Sequence, residues 1–338
     1  MKRTPPPTSH DVARIAGVSQ PTVSRALRGD PRLSEATRRR VEEAAAAIDY
    51  VPSQRGRSLA TQSAGQVGIV VEDLGNPFYL QVLGALHEAL RAAEMRMLVL
   101  TPDADHHLPI ERLVDGSLDG AILTTTLLHS ALPRELGRRG FPFVLLNREV
   151  DDRLGDVCVV DNEAGAKLVA RELLDLGHRE IAAIFGPETT STGRNREAAF
   201  REVLAAADVP LPPERWCRAP FDFAEGHRRA LELIESRPTA LFCANDILAL
   251  GAFNALRGRG IRIPGEVTLI GFDDVRLASW EAFMLTTVSQ DIARMVEVST
   301  DLLLSRIASD PESPPAPRRV VLPARLIRRE THGPPPSR

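Results

Sequence analysis

From Gly65 onward the chain repeats one beat, a short apolar run followed by an amphipathic stretch of helical period. The runs VGIVV (67–71), MLVL (97–100), GAILT (120–124) and FVLL (143–146) form a first set, with stretches such as FYLQVLGALHEALRAA between them. IAAIF (181–185), TALFCAN (239–245) and VTLIGFDD (267–274) form a second set, separated by helical segments starting near Gly165, Arg194, Ala224 and Ile247. Apolar runs of this kind are strands buried on both faces. Strands that alternate with helices pair in parallel, so each set specifies a parallel sheet covered on both faces. The stretch exceeds a usual single core, which divides it into two α/β lobes. Ligands of such sheets bind outside the carboxyl ends of the strands. Here those ends are polar: Glu72-Asp73 with Asn76, Asn147-Arg148, Gly186-Pro187, Asn245-Asp246 and Asp273-Asp274.

The residues before this beat read differently. TSHDVARIAGVSQPTVSRALRGDP, residues 8–31, spells two short helices joined by a glycine turn. Thr8 or Ser9 caps the first helix, Val12, Ala13, Ile15 and Ala16 supply its buried face, and Gly17 supplies the turn. Ser19 caps the second, Pro21 sits in its first turn where a missing N–H is harmless, and Val23, Ala26 and Leu27 form its apolar stripe. Ser19, Gln20, Pro21, Thr22, Ser24, Arg25 and Arg28 are left outside. Glutamine pairs with adenine, arginine takes guanine with two hydrogen bonds, and hydroxyls reach phosphate oxygens, so this set fits a helix-turn-helix reader of double-stranded DNA. An ordinary helical hairpin with a solvated polar face has the same periodicity, and charge separates the two readings. Residues 1–62 carry eleven Lys or Arg against six acids, a surplus of +5, while the rest carries 31 against 39, or −8. A basic head on an acidic body places phosphate binding in the head alone.

Ser34 and Thr37 precede RRRVEEAAAAIDY, a helix former whose Val41, Ala44, Ala45 and Ile48 close a three-helix core, and Pro52 is expected to stop it. SQRGRSLAT, residues 53–61, follows as a hinge. It is shorter than the roughly 12 to 15 residues an independent helix needs, and Gly56 costs it about 1 kcal/mol relative to Ala. The segment is therefore either a flexible linker or a helix formed only on DNA, with Arg55 and Arg57 on phosphates and Leu59 wedged between bases in the minor groove.

No stretch approaches the roughly 20 apolar residues of a membrane span, and MKRTPPPTSH lacks the apolar run of a secretory signal, so a cytoplasmic protein without membrane contact is expected. Cys158, Cys217 and Cys243 are odd in number and far apart in apolar strand-like settings, which reads as buried free thiols rather than a disulfide or metal site. There is no G-x-G-x-x-G after a strand and no phosphate-binding loop; the Gly258–Gly260 pair ends a helix, and the eight His are scattered. No catalytic residue, metal or cofactor is expected.

Several motifs together resemble the lactose-repressor (LacI/GalR) family of bacterial transcription regulators over nearly the whole chain. They are DVARIAGVSQPTVSRAL, Tyr50-Val51-Pro52 with RGRSLAT, DLGNPFY, LLDLGHREIAAIFGP, the Arg196–Phe200 stretch, FCANDILALGA, LIGFDD and LTTVSQD. The resemblance implies an all-α helix-turn-helix head on a two-lobed body like that of periplasmic binding proteins. It also implies a homodimer on a pseudo-palindromic operator, and a small effector between the lobes that changes operator affinity. The implied pocket is Asn76, Phe78, Asn147, Arg196, Phe221, Asn245, Asp273 and Gln290, with Arg148 beside it. Such a set suits a carbohydrate: Arg196 and Asp273 form paired bonds to vicinal hydroxyls, amides both donate and accept, and the two rings offer flat faces. Phe78 and Phe221 are also compatible with core packing, and Asn245 and Asp273 with helix caps. Arg196 opens a helix, where a cation needs an anion or polar ligand to answer it. Gly56, Ser53, Ala199 and Met284 depart from the family's usual Ala, Asn, Gly and Pro.

The domain reading places the DNA-binding head at 1–52 and the hinge at 53–64. The first lobe is 65–161 with 291–319, the second lobe is 162–290 with 320–331, and 332–338 is a disordered tail. The tail has three prolines and no apolar heptad, which points to a dimer rather than a tetramer. The functional reading is a repressor controlled by a sugar or sugar derivative. The alternative is a regulator that answers to a protein partner or to a phosphorylated metabolite as corepressor, with Arg148 on the phosphate.

Overall fold

Among the described residues of the head, three helices, each opened by a side-chain cap, pack together: α1 (Ser9–Ala16), α2 (Gln20–Ala26) and α3 (Glu35–Ala47). The computed structural model describes residues 7–27, 29–50, 63–103, 105–152, 154–310 and 312–337, and separates into two units, 1–64 and 65–338. Thr8 and Asp11 form a reciprocal capping box on α1, and Ser19 and Ser34 accept from Thr22 N and Thr37 N at the starts of α2 and α3. Gly17 ends α1 at φ 64°, a conformation with no steric cost for glycine. Val12, Val23 and Val41 are fully buried among Ala13, Ala16, Ala26, Ala44 and Ala45, and these small side chains let the helices approach closely. Two expectations change. Ile15 is 49% exposed, because Val12 and Ala16 define the inner stripe with Ala13 and leave it on the far side. α3 stops at Ala47, before Pro52: Asp49 turns left-handed at φ 49° and Tyr50 N closes on Ala45 O at 2.9 Å. Pro52 and the hinge expectation with Arg55, Arg57 and Leu59 lie outside the described residues, as does Arg28.

The body runs β1 (Gln66–Val70), α4 (Pro77–Ala92), β2 (Arg96–Leu100), α5 (Glu111–Val114), β3 (Gly120–Leu123), α6 (Leu132–Arg138), β4 (Phe143–Leu146) and β5 (Asp156–Val160). Next come α7 (Asn162–Asp175), β6 (Ile181–Phe185), α8 (Ser191–Ala206), β7 (Trp216–Arg218), α9 (Phe223–Leu233), β8 (Ala240–Cys243), α10 (Asp246–Gly258) and β9 (Thr268–Ile270). The chain finishes with β10 (Thr287–Ser289), α11 (Ile292–Ile307), β11 (Arg319–Leu322) and β12 (Arg325–Ile327). The first sheet is wholly parallel in the order β11-β5-β4-β3-β1-β2, and the second is parallel in the order β7-β6-β8-β9. The inner strands β3, β4, β5, β6 and β8 are buried throughout. The edge strands β2 and β11 begin with exposed arginines and are only partly covered, as edges require.

The chain passes between the lobes three times, at Asp161, at Gln290–Asp291 and at Pro323–Ala324. β5 and β11 belong to the first sheet, whereas α7 packs on α8 and β12 pairs with β10 beside β9. The boundary expected at 319/320 therefore moves to Leu322, because Val320–Leu322 complete a strand against Cys158–Val160. The tail expected to be disordered from 332 is tied down at its start, where Gly333 O accepts from Thr268 Oγ1 at 2.8 Å and contacts the His178 ring.

Candidate functional sites: the reading helix and the interlobe cleft

On α2, Ser19, Pro21 and Arg25 are exposed, while Gln20, Thr22 and Ser24 are half-buried. Gln20 Nε2 donates to Ser9 Oγ at 3.3 Å, which positions its amide at the start of the helix. Arg25 Nε lies 3.4 Å from Asp30 Oδ2. Asp30 also accepts from the Arg32 side chain and backbone, and these bonds lower its pKa to about 2, so it stays charged near neutrality. The grip on Arg25 uses Nε and leaves the terminal nitrogens, the pair that spans guanine O6 and N7.

In the body the predicted residues converge from both sheets. Arg196, on α8, is 2% exposed. Its Nε donates to Asn162 Oδ1 at 2.7 Å, its Nη1 donates to Ala244 O at 2.6 Å and Asp273 Oδ1 at 3.2 Å, and its guanidinium lies 3.6 Å from the Phe272 ring centre. The anion that the sequence demanded for this cation is therefore Asp273. Burial holds the Arg196 pKa below the usual guanidinium range, against the pull of Asp273. Asp273 Oδ1 also accepts from Gln290 Nε2 at 2.5 Å; burial raises its pKa to about 6, opposed by Arg196 and Gln290. The carboxylate is aimed by an unusual backbone, with φ 125° at Asp273 and 58° at Asp274, a strain typical of functional loops. Neighbouring Asp246 holds Thr287 Oγ1 and Val275 N, and burial pushes its pKa well above the usual carboxylate range.

Asn147 and Arg148 follow β4. Asn147 sits at φ 71° and donates from Nδ2 to the Tyr79 hydroxyl at 3.3 Å. Arg148 Nη1 donates to Thr125 O at 3.0 Å, and its guanidinium is 5.9 Å from the ring centres of both Tyr79 and Phe221. Phe221 is half-buried, with its ring over Gly186 where a Cβ would come within 2.2 Å of it. Tyr79 joins the two halves: burial raises its pKa, and it feels the charges of Arg148, Asp273, Asp73 and Arg196.

Other predicted positions fall partly elsewhere. Asn76 Oδ1 accepts from Phe78 N and Asn245 Oδ1 from Leu248 N, both at 3.1 Å, so each caps the helix that follows it. Phe78 is 2% exposed in the core, edge-on to Tyr79. Asp273 caps nothing. Sequence reasoning missed Tyr79, whose signal was a polar-tipped ring beside Phe78, and Asn162, which follows a strand that had not been read as one.

Three atoms in this cleft are buried without a partner: Asn147 Oδ1, Arg148 Nε and Gln290 Oε1. Buried polar atoms are normally satisfied, so their convergence marks a place for a ligand. A cavity of about 640 Å³ opens mostly among first-lobe residues, lined by His106, Leu108, Ile110 and Leu132 among others, with Thr189 of the second lobe on its wall. It contains none of the predicted effector residues.

Residues 8–53 match the bacterial regulatory proteins of the lacI family, and residues 170–332 match the periplasmic binding protein-like domain. The ribose operon repressor of Halalkalibacterium halodurans is 32% identical over 331 residues, which covers 96% of each chain. The chain belongs to the lacI family of bacterial regulatory proteins. The lac repressor dimer bound to operator and the anti-inducer ONPF superimposes with a TM-score of 0.81 at 26% identity, covering 97% of this chain and 99% of that one. The transcriptional regulator CelR–cellobiose complex gives 0.72 at 29%, covering 96% and 100%. This lacI-family chain is a DNA-binding transcriptional regulator with an effector-binding body. Among the described residues no helix is long and apolar enough to cross a membrane, and no group of three His, Cys, Asp or Glu is placed to hold a metal ion.

Proposed function

We propose that the chain is a repressor, working in the bacterial cytoplasm as a homodimer on a pseudo-palindromic operator, and that a sugar or sugar derivative in the interlobe cleft controls its grip on DNA. The observation that carries this reading is the set of unpartnered buried atoms on Asn147, Arg148 and Gln290 beside the Tyr79 and Phe221 rings. Two acceptors and one donor around aromatic faces suit a small polyol. The ribose operon repressor and the cellobiose complex of CelR support that class. Asn147, Arg148, Arg196, Phe221, Asp273 and Gln290 form the effector set, with Asn76, Phe78 and Asn245 shaping its walls. Ser19, Gln20, Pro21, Thr22, Ser24 and Arg25 face DNA, joined by Arg28, Arg55, Arg57 and Leu59.

Gln290 stands on one of the three crossings, so a ligand held by it touches the element that lobe motion must bend. A ligand that favours one lobe arrangement shifts operator affinity by its differential binding, typically about 5- to 150-fold. Titrating the full-length protein with neutral sugars and then sugar derivatives, while following operator binding, tests this. One compound should shift operator affinity in the wild type, and Gln290→Ala and Asn147→Ala should lose the response. If no sugar or derivative shifts it, the proposal is wrong.

A further inference from the structure

Arg148 and Arg196 are the buried arginines among the described residues of the body, and they differ in their partners. Arg196 meets Asp273, and even the less buried Arg306 and Arg329 meet Asp156 and Asp274, each within 3.2 Å. Arg148 is 6% exposed, yet no carboxylate lies within 4.0 Å of it among the described residues. Its one hydrogen bond goes to the neutral Thr125 carbonyl, and its Nε has no partner. Its charge reaches Asp73 and Asp273, but Asp273 is already paired with Arg196 and Gln290, and the Asp73 carboxyl is half-buried, with its pKa raised by burial and its oxygen occupied by Asn76 N. A buried cation left in this state is strongly unfavourable unless something else completes the pair.

Resting on the sugar-effector reading above, we infer that the effector is a polyhydroxylated carboxylic acid, a sugar acid, whose carboxylate pairs with Arg148 and whose hydroxyls donate to Asn147 Oδ1 and Gln290 Oε1. A carboxylate supplies one negative charge for one unmatched cation. A phosphate dianion brings a second charge toward Asp73 and Asp273, with Arg196 already neutralised by Asp273. The neutral amide of Asn147 beside Arg148 fits the same pattern, since it leaves the cation unmatched while accepting a hydroxyl.

The test is calorimetry on the full-length protein at neutral pH with a panel of pentoses and hexoses, each paired with its own aldonate or uronate and its own phosphate. One acid should bind on the order of 100-fold more tightly than its neutral parent, and more tightly than the phosphate. Arg148→Gln should erase that preference, Arg148→Lys should keep part of it, and unliganded R148Q should melt no lower than wild type because it removes an unpaired buried charge. Equal binding of acid and neutral parent, or tighter binding of the phosphate, overturns the carboxylate while leaving a sugar-type effector standing. Lower melting of R148Q marks Arg148 as a structural cation and also overturns it. Absence of binding by the whole panel removes both this inference and the reading beneath it.

Discussion

Arg196 and Arg148 share one cleft, but their settings predict opposite behaviour on substitution. Arg196→Ala strands Asp273, Asn162 and the Ala244 carbonyl, and removing one partner of a buried pair costs about 3 to 5 kcal/mol. Denaturant melting should show that loss, so Arg196 cannot report effector binding alone; an unchanged midpoint would mean the network is dispensable. Asp273 predicts a pH dependence. Its folded pKa of about 6 lies above the ordinary aspartate value of 3.8, so its contribution to stability is present below 3.8 and lost as pH rises through about 6. Effector binding runs the other way, because hydroxyls donate to the ionised carboxylate. Affinity should be level above neutrality and fall below pH 6 by up to about tenfold per pH unit, and a flat calorimetric profile would exclude Asp273 as a ligand. In the head, Arg25→Ala should cost about 1 to 3 kcal/mol on the operator and relax preference at one base pair per half-site. Equal losses on operator and random DNA would reassign Arg25 to the phosphate backbone. Residue types in the cleft were legible in the sequence because strand ends are polar by necessity. Their roles were less so: Asn76 and Asn245 spend an oxygen on a helix start, which composition does not distinguish from ligand binding.

At the scale of elements, caps and glycines decide local structure. Thr8→Ala removes the hydroxyl that accepts from Asp11 N and donates to Asp11 Oδ2, leaving only the backbone N–H of residue 8 on that carboxylate, which should lower head stability by about 0.5 to 2 kcal/mol; an unaltered melting curve would place the start of the helix under tertiary control. Gly186→Ala puts a methyl against the Phe221 ring. Because that ring is half-exposed it can swing away, so effector affinity should fall while the fold survives, and undiminished binding would free Phe221 of its role. Seven strands were readable because each lies in a continuous, largely apolar run, as even the three-residue β9 does within VTLIGF. Those outside such runs were not. β7, β10 and β12 are three residues each, below the length at which period is defined. β5 opens on Asp156 and β11 on Arg319, where polar residues mask the pattern.

Across the whole body, the three crossings decide what ligand binding can transmit. Asp156 anchors the first lobe at the end of β5 away from them: burial pushes its pKa up, but Arg306 and both the backbone and side chain of Arg318 outweigh this and lower it. Asp156→Ala should therefore destabilise the body by about 3 to 5 kcal/mol without changing effector selectivity, as melting and calorimetry would show together. Stability from this pair is present above the unfolded pKa of Asp156 and is lost as pH falls through its lower folded value. In the proposed mechanism a ligand in the cleft controls the reading head. Operator affinity of the full-length protein, measured with and without a saturating sugar acid in wild type and Gln290→Ala, tests this coupling. Wild type should show a ligand-dependent shift of at least about 5-fold that disappears in Q290A, with operator affinity in the absence of ligand preserved. A ligand that binds the wild-type cleft by calorimetry and leaves operator affinity unchanged would contradict it.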